Sequence, residues 1–516
     1  MFCDKDNVNI LTSLLAAHRI RDAVVCPGSR NGVIIHNLQE CRALRLHPVT
    51  DERSAGFVAL GIALAKKAPV AVCVTSGSAL LNLLPAVAEA FYQHVPLIAI
   101  SADRPSDLIG QLDGQTIVQA GALQPYARTF EIVEPHDENT RRFANRRVNE
   151  ALLQAWDGKC VHLNIPVSEP LFSFHTATLP DERVIRRLSL VETVEKVRRA
   201  HFPLLICGQT HSVDPALFSL LETRNGILVL PELLASAEGS YRLAFIEQNG
   251  WPEGLIEPDL VVHIGGNLIH KRLKQFLRQQ KALEVVRVAS DVEMPDTFFH
   301  LQGCCACEEA QLFEKLAEIE ENTCVKEAKT AFSHCVNTIT SEEYAVITLH
   351  DALSKQSVGS LHLANSSAVR IAARLLSSCS CRVLCNRGTN GIEGSLSTAV
   401  GYALADSSAL AVCLIGDLSF FYDQNALWNT CLPSNLRIVL LNNGGGKIFD
   451  CLPGLSDSPA KESYIKAAHH VSARGICEAY GVDYILAKQP EDYAEAFQAL
   501  FAGTQKRAAL VEILIP

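Results

Sequence analysis

Two stretches decide the fold: Leu410-Ala411-Val412-Cys413-Leu414-Ile415-Gly416-Asp417, and Arg437-Ile438-Val439-Leu440-Leu441-Asn442-Asn443-Gly444-Gly445-Gly446. Each is an unbroken apolar run of strand length that stops abruptly at small and polar residues. That is the pattern of a strand buried on both faces of a parallel sheet. The 26-residue step from Asp417 to Asn443 holds one helix and one return strand, which brings the two strand ends side by side. Open α/β sheets take their ligands in the crevice at the carboxyl ends of the strands. An Asp carboxylate, an Asn amide oxygen and a glycine run that lets backbone groups approach a ligand describe a Mg²⁺–phosphate site there. Taken alone, the same residues read equally well as a surface loop with a capping Asp. The run is not a Walker motif, since Gly446-Lys447 is followed by Ile448 and the upstream glycine is missing.

Working outward, strand, small-residue turn, helix and strand recur along the chain, which is the βαβ unit of a parallel sheet. In the first third Asn7 is placed to cap a helix whose apolar residues Ile10, Leu11, Leu14 and Leu15 have helical spacing. Strands are predicted over 22–26, 69–75 and 96–101, with a turn at Pro27-Gly28-Ser29-Arg30, a helix over 54–66, and a helix opened by Ser76-Gly77-Ser78 and kinked at Pro85. In the middle, 203–207, 227–230, 260–264 and 285–289 read as strands. The last third opens at a Thr340/Glu343 capping-box pattern and has strands over 382–385, 410–415, 437–441 and 509–515. Ser76-Gly77 and Pro96 in the first third echo Gly416-Asp417 and Pro433 in the last. The expected fold class is α/β, with three doubly wound parallel-sheet modules over 1–180, 190–330 and 340–516. The stretches 176–187 and 318–329 read as linkers or exposed helices.

Composition narrows the function. With 48% apolar and 20% charged residues among 516, the chain has material for several cores and is not a disordered one. Lys plus Arg total 46 against 56 Asp plus Glu, so a wide basic surface for nucleic acid is excluded, whereas a small anion needs only a few placed cations. The 18 cysteines are scattered, many within apolar runs, as reduced cytoplasmic thiols would be. Cys304-Cys305-Ala306-Cys307 and the Cys379, Cys381, Cys385 group lack paired CxxC spacing and nearby His pairs, and read as core or loop residues. No signal-peptide pattern and no 18-residue apolar run free of charges or breakers is present, so a soluble cytoplasmic protein without a membrane span is expected. The 17 histidines form no triad, and His469-His470 reads as an ordinary surface or helix pair. Asp51-Glu52-Arg53 suits a helix's first turn. The helix that follows has almost no polar residue until Lys66, so deep burial of Glu52 is predicted, and a buried carboxyl needs a partner or a task.

Gly416-Asp417 followed by Asn442-Asn443 resembles the signature of thiamine-diphosphate enzymes, and Glu52 resembles their cofactor-activating glutamate. More specifically, the chain resembles the 2-succinyl-5-enolpyruvyl-6-hydroxy-3-cyclohexene-1-carboxylate (SEPHCHC) synthase family of menaquinone biosynthesis. The resemblance rests on Pro27-Gly28-Ser29-Arg30, Asp51-Glu52-Arg53, Thr75-Ser76-Gly77-Ser78-Ala79, Ser101-Ala102-Asp103-Arg104-Pro105 and Lys271-Arg272-Leu273. It continues through Asn365-Ser366, Asn386-Arg387-Gly388, Gly416-Asp417-Leu418-Ser419 and Gly444-Gly445-Gly446-Lys447-Ile448-Phe449, in order over nearly the whole chain. Leu418 stands where the general cofactor signature has Gly, as in this family, and the middle third resembles it least.

The resemblance implies thiamine diphosphate bound between the subunits of a homodimer, or of a tetramer built from such dimers. Its diphosphate would lie on Mg²⁺ (or Mn²⁺) held by the Asp417 carboxylate, the Asn443 side chain and the Gly445 carbonyl. It implies that Glu52 of the partner subunit hydrogen-bonds the aminopyrimidine, that Ile392 supports the bent cofactor, and that Ile448, Phe449 and Leu452 wall the reacting carbon. The implied reaction is decarboxylation of 2-oxoglutarate and 1,4-addition of the resulting four-carbon carbanion to isochorismate. Both substrates are dianions, and the motif-matched cations are Arg30, Arg104, Lys271, Arg272, Arg370 and Arg387, with Ser29, Gln115 and Ser366 as hydrogen-bonding partners. Two other readings stand beside this one. An acetolactate synthase-like 2-oxoacid lyase would mostly carry Gly after Gly-Asp. A catalytically silent homologue would have no need to keep Glu52, Asp417 and Asn443 together.

Overall fold

The computed structural model of the protein describes residues 1–210, 213–237, 239–291, 294–332, 339–376, 379, 381–502 and 506–515. The chain divides into two compact units, Met1–Arg187 with Met294–Cys304, and Leu188–Glu293 with Cys305–Pro516.

The first unit is built on β1 (Asp22–Val25), β2 (Arg45–Pro48), β3 (Val70–Val74), β4 (Leu97–Asp103), β5 (Arg128–Glu131) and β6 (Val161–Pro166), in the order β2-β1-β3-β4-β6-β5. Separate apolar clusters form on its two faces. Helices Asp6–Ala17 and Glu138–Trp156 contribute to one, and Glu52–Lys66 and Leu84–Tyr92 to the other. The middle strands are β7 (Arg186–Leu188), β8 (Pro203–Cys207), β9 (Leu228–Pro231), β10 (Leu260–Ile264), β11 (Glu284–Ala289) and β12 (Leu301–Ala306), in the order β7-β12-β11-β10-β8-β9. The last sheet holds β13 (Val358–Leu363), β14 (Arg382–Cys385), β15 (Leu410–Gly416), β16 (Leu436–Asn442), β17 (Asp483–Ala487) and β18 (Ala509–Leu514), ordered β14-β13-β15-β16-β18-β17. The protein is thus α/β with three six-stranded sheets, and the first and last follow one topology strand for strand. The echo between Ser76-Gly77 and Gly416-Asp417 is that correspondence, since both follow the third strand of their module.

Several local expectations are corrected. Asn7 does not cap its helix: Lys5 holds the N-cap position, and the buried Asn7 amide donates instead to Ile132 O and Pro166 O. The break expected at Pro85 separates two helices, Ser78–Asn82 and Leu84–Tyr92, with the proline in the first turn of the second, where its missing N–H costs nothing. Within 318–329 a helix, Thr323–Thr330, is capped by Asn322 and buries Val325 and Ala328. Thr340 and Glu343 do form the predicted capping box, on helix Ser341–Leu353.

Glu52 is only half-buried, contrary to the deep burial expected of it. Its helix turns Ala55, Gly56, Ala59, Leu60 and Ala63 inward and leaves Phe57, Val58 and Leu64 exposed. The helix is apolar on two faces, and one sheet covers only one of them.

Candidate functional site

In the second unit, β15 and β16 are adjacent and parallel, with Gly416 paired to Leu441, so the Asp417 and Asn443 backbones emerge together at their carboxyl ends. Asp417 begins helix Asp417–Asp423 and is buried. Its Oδ1 accepts from Leu418 N (2.6 Å), and its Oδ2 accepts from Asn443 N (3.1 Å) and Gly445 N (2.9 Å). Gly445 has φ +142°, and a Cβ there would lie 2.9 Å from Lys466 O, so the turn that presents its carbonyl admits no side chain.

Asn443 Oδ1 is buried without a hydrogen-bond partner among the described residues. The Asn443 side chain lies close to the Glu342 carboxyl. Burial raises the Glu342 carboxyl's pKa, Asp417 adds to the rise, and Lys447 and Asn443 oppose it. An orphaned amide oxygen beside a buried carboxylate and a glycine-turn carbonyl is the donor set of a hard divalent cation, so these residues fit Mg²⁺. Ile392 lies close by, its carbonyl accepting from Ser419 Oγ. Ile448 and Phe449 occupy the short turn Lys447–Cys451 that continues the glycine run, and Leu452 behind it is largely exposed.

A cationic cluster lies in the same unit. Arg387 follows β14 and is nearly buried, with Nη1 donating to Asn365 Oδ1 at 3.1 Å. Asn365 in turn donates to Asn386 O and Gly391 O. Arg370 lies on helix Ser367–Leu375, where burial and then the nearby Arg387 lower its pKa. The ion pair of that helix is Arg374–Glu343, and neither Arg370 nor Arg387 pairs with a carboxylate among the described residues. Two sheltered guanidiniums near each other, with Glu247 acting on Arg370 from beyond ion-pair distance, form a place for an anion. Ser366, just before that helix, has φ +74° and ψ −127°, a strained conformation for a residue with a side chain. Lys271 and Arg272 open helix Lys271–Gln279; both are exposed, and the Arg272 guanidinium donates to Gln248 O at 2.6 Å.

In the first unit the other expected residues gather at the carboxyl edge of the first sheet. Arg30 is nearly buried and donates to Val167 O (2.6 Å) and Glu169 Oε1 (2.8 Å). Arg104 donates to Ser76 Oγ (2.8 Å) and Gln115 O (3.3 Å), Gln115 has φ +56°, and Ser29 is exposed. Asp103 is buried, and burial raises its carboxyl's pKa against the pull of Asn164, Arg104 and Arg30. Glu52 stands in the first turn of helix Glu52–Lys66, which Asp51 caps through Ser54 N at 2.7 Å.

Two neighbours of the Asp417 site escaped the sequence reading. His469 is not a surface residue: its side chain is 15% exposed, packs edge-on against Phe421 and places Nε2 at 3.4 Å from Asp417 Oδ2. Its Nδ1 accepts from Val471 N at 3.1 Å, which leaves the proton on Nε2, facing the carboxylate. His470 beside it is exposed, as expected. Glu342 is the other. Only the Thr340/Glu343 capping pattern marks its neighbourhood, and nothing in that pattern links it to a residue a hundred positions later.

Family models agree with this geometry. The thiamine pyrophosphate enzyme N-terminal TPP binding domain matches residues 6–125, and the C-terminal TPP binding domain matches 367–513. Three bacterial proteins named 2-succinyl-5-enolpyruvyl-6-hydroxy-3-cyclohexene-1-carboxylate synthase are similar over nearly the whole chain. That of Bacteroides thetaiotaomicron is 42% identical, over 96% of this chain and 93% of its own length. That of Phocaeicola vulgatus is 39% identical, over 99% and 96%. That of Desulfotalea psychrophila is 34% identical, over 97% and 97%.

Proposed function

The chain belongs to the 2-succinyl-5-enolpyruvyl-6-hydroxy-3-cyclohexene-1-carboxylate synthase family of thiamine-pyrophosphate enzymes, and from that premise we propose how its residues divide the work of that synthesis. The reaction joins 2-oxoglutarate, after loss of CO₂, to isochorismate in menaquinone biosynthesis. Thiamine diphosphate, when bound, supplies the electron sink that lets a 2-oxo acid lose its carboxylate. Asp417, Asn443 and the Gly445 carbonyl would hold Mg²⁺ beside the diphosphate. Glu52 would offer its carboxyl to the aminopyrimidine as a hydrogen-bonding partner. Ile392, Ile448, Phe449 and Leu452 keep water from the reacting carbon. Arg30, Arg104, Lys271, Arg272, Arg370 and Arg387 bind the carboxylates of the two dianions, with Ser29, Gln115 and Ser366 completing the hydrogen bonds.

The observation that carries this reading is the unpartnered, buried Asn443 Oδ1 beside the Asp417 carboxylate, a pairing that is costly without a cation between them. The active unit in this proposal is a homodimer in which Glu52 serves the partner subunit's diphosphate site. Its support is the exposed apolar side chains Phe57, Val58, Leu64, Leu81, Phe91 and Tyr92, carried on three helices that contact one another. Among the described residues no helix is long and apolar enough to cross a membrane.

Purified protein supplied with Mg²⁺ and thiamine diphosphate should consume isochorismate only when 2-oxoglutarate is present, releasing one CO₂ per product. Isochorismate left untouched under those conditions overturns the proposal. Turnover of pyruvate in its place would assign the chain to the acetolactate-forming type.

A further inference from the structure

Glu232 follows β9 and is fully buried, and its nearest charged partner is His270, itself 2% exposed. One carboxylate oxygen accepts from Ile269 N (2.6 Å) and His270 N (3.2 Å), and the other lies 3.0 Å from His270 Nδ1. Burial lowers the pKa of the His270 imidazole, and the Glu232 carboxylate acts the other way and leaves it raised. The Ala373 backbone lies near the imidazole and also raises its pKa. Lys274 and Glu247 are the other charged groups within reach of the pair.

The position of this pair matters more than its charge. His270 immediately precedes Lys271 and Arg272 at the start of their helix. Ala373 lies one turn beyond Arg370 on helix Ser367–Leu375. The segment that Glu232 clamps also carries Asn267, whose amide donates to the Arg387 carbonyl. Beside it Gln209 Nε2 donates to Cys385 O at 2.8 Å. The clamped segment is itself zipped to the turn after β8 through Gly266 N to Gln209 O (2.7 Å) and Gln209 N to Asn267 O (3.2 Å). A Cβ on Gly208 would come within 2.2 Å of Gly266 O, so this zipper requires glycine. Lys271 and Arg272 are therefore tied to one buried pair by the chain itself, Arg387 by one hydrogen bond and three residues of chain, and Arg370 through the helix whose Ala373 lies near His270.

We propose that Glu232 and His270 are positioning residues that set the spacing of Lys271, Arg272, Arg370 and Arg387 for a dicarboxylate substrate. This rests on the cation assignments made above. Neither residue touches substrate. Their effect is on how well four cations on three segments converge.

The test is steady-state kinetics on holoenzyme saturated with Mg²⁺ and thiamine diphosphate. His270→Gln is expected to raise KM for at least one of the two substrates 10-fold or more, with kcat changed less than 3-fold and thiamine diphosphate affinity within 2-fold. Glu232→Gln keeps an oxygen for Ile269 N and His270 N, so it remains foldable should His270→Gln not be, and should shift the same KM. Glu222→Gln disrupts a different buried ion pair of the same unit, Arg242–Glu222, and should lower the melting temperature without moving KM. Unchanged KM in both His270→Gln and Glu232→Gln overturns the proposal, as does an equal KM rise in Glu222→Gln. Arg387→Lys separates the two levels. If it too leaves KM unchanged, the cation assignment has failed; if it raises KM while the positioning variants do not, only the positioning role has.

Discussion

The Asn442 side chain donates to Glu512 Oε1 across 2.7 Å, from the end of β16 to a carboxylate that is wholly buried on the neighbouring β18. Glu512 has no cation beside it in these contacts. Ser472 Oγ (2.7 Å), Ala473 N (3.2 Å) and Tyr484 OH (2.5 Å) also donate to it. The Tyr484 phenol is pushed up to about 12, by burial first and by Glu512 after it. Asn442 Oδ1 accepts from Gly444 N at 3.2 Å, so one carboxylate braces both the glycine turn and the segment that carries His469 toward Asp417.

Glu512→Gln places an NH₂ group among four donors, and the resulting unsatisfied groups should cost about 1–3 kcal/mol. A lowered denaturant midpoint together with weaker thiamine diphosphate binding, followed by fluorescence quenching, is expected. Weaker stability with unaltered cofactor affinity would confine Glu512 to a scaffold role.

Gly445→Ala forces a side chain into a backbone at φ +142° with Lys466 O 2.9 Å away. The turn must shift, and the Mg²⁺ concentration that supports half-maximal cofactor binding should rise at least about tenfold, the size of effect seen when metal-site geometry is disturbed. A Mg²⁺ titration of cofactor binding measures it without any turnover.

Glu52→Gln keeps a hydrogen-bonding group of the same shape but no proton acceptor. Turnover should fall about 10²–10⁴-fold, the usual size of a general acid–base contribution, while calorimetry finds cofactor affinity nearly unchanged.

Arg387→Lys substitutes a point charge for a fork that already holds Asn365 Oδ1. KM for one dianionic substrate should rise about tenfold or more, and the melting temperature should move little. The substrate affected identifies which carboxylate Arg387 serves.

Three buried histidines, one per sheet, make stability depend on acid. Burial depresses His162 to about 4 and His362 to about 4; burial, then Arg287 and Lys274, depress His263 to about 3. Unfolded, each would titrate near 6.5, so between that pH and the folded value the unfolded chain binds more protons. Their stability is complete above about pH 6.5 and is lost as pH falls toward 4, each contributing on the order of 3 kcal/mol. Urea midpoints from pH 7.5 to 5 should fall steadily, and His162→Gln should flatten part of that slope.

Strands 203–207, 260–264 and 382–385 were legible to the residue, because each is a short, mainly apolar run, with His263 the one polar residue inside 260–264. Val161–Pro166 and Val358–Leu363 are harder to see, because their His162, Asn164, Ser360 and His362 look like surface residues yet are buried. Asp417, Asn443 and Gly445 could be found because their chemistry is local to two strand ends. His469, Glu342, Glu512, Glu232 and His270 could not. Each acts through a partner tens to more than a hundred residues away, and spacing along a chain carries no trace of such pairings. The deep burial expected of Glu52 failed for a related reason: the apolar helix implied a cover on every side, and its own sheet covers only one face.

The first unit is not continuous in sequence, and this has a consequence for synthesis. Its segment Met294–Cys304 returns to make Arg183–Asp296 (2.8 Å), to supply Phe299 O to Arg183 (2.8 Å) and to lay the Phe299 ring under the Arg142 guanidinium. A ribosome that has finished residue 187 must therefore add roughly 120 more before that unit can close, about 6–25 s at about 5–20 residues per second. During that interval Arg142 and Arg183 lack these partners while the apolar helix face stays bare, so the nascent chain passes through a window in which chaperones and proteases compete for it.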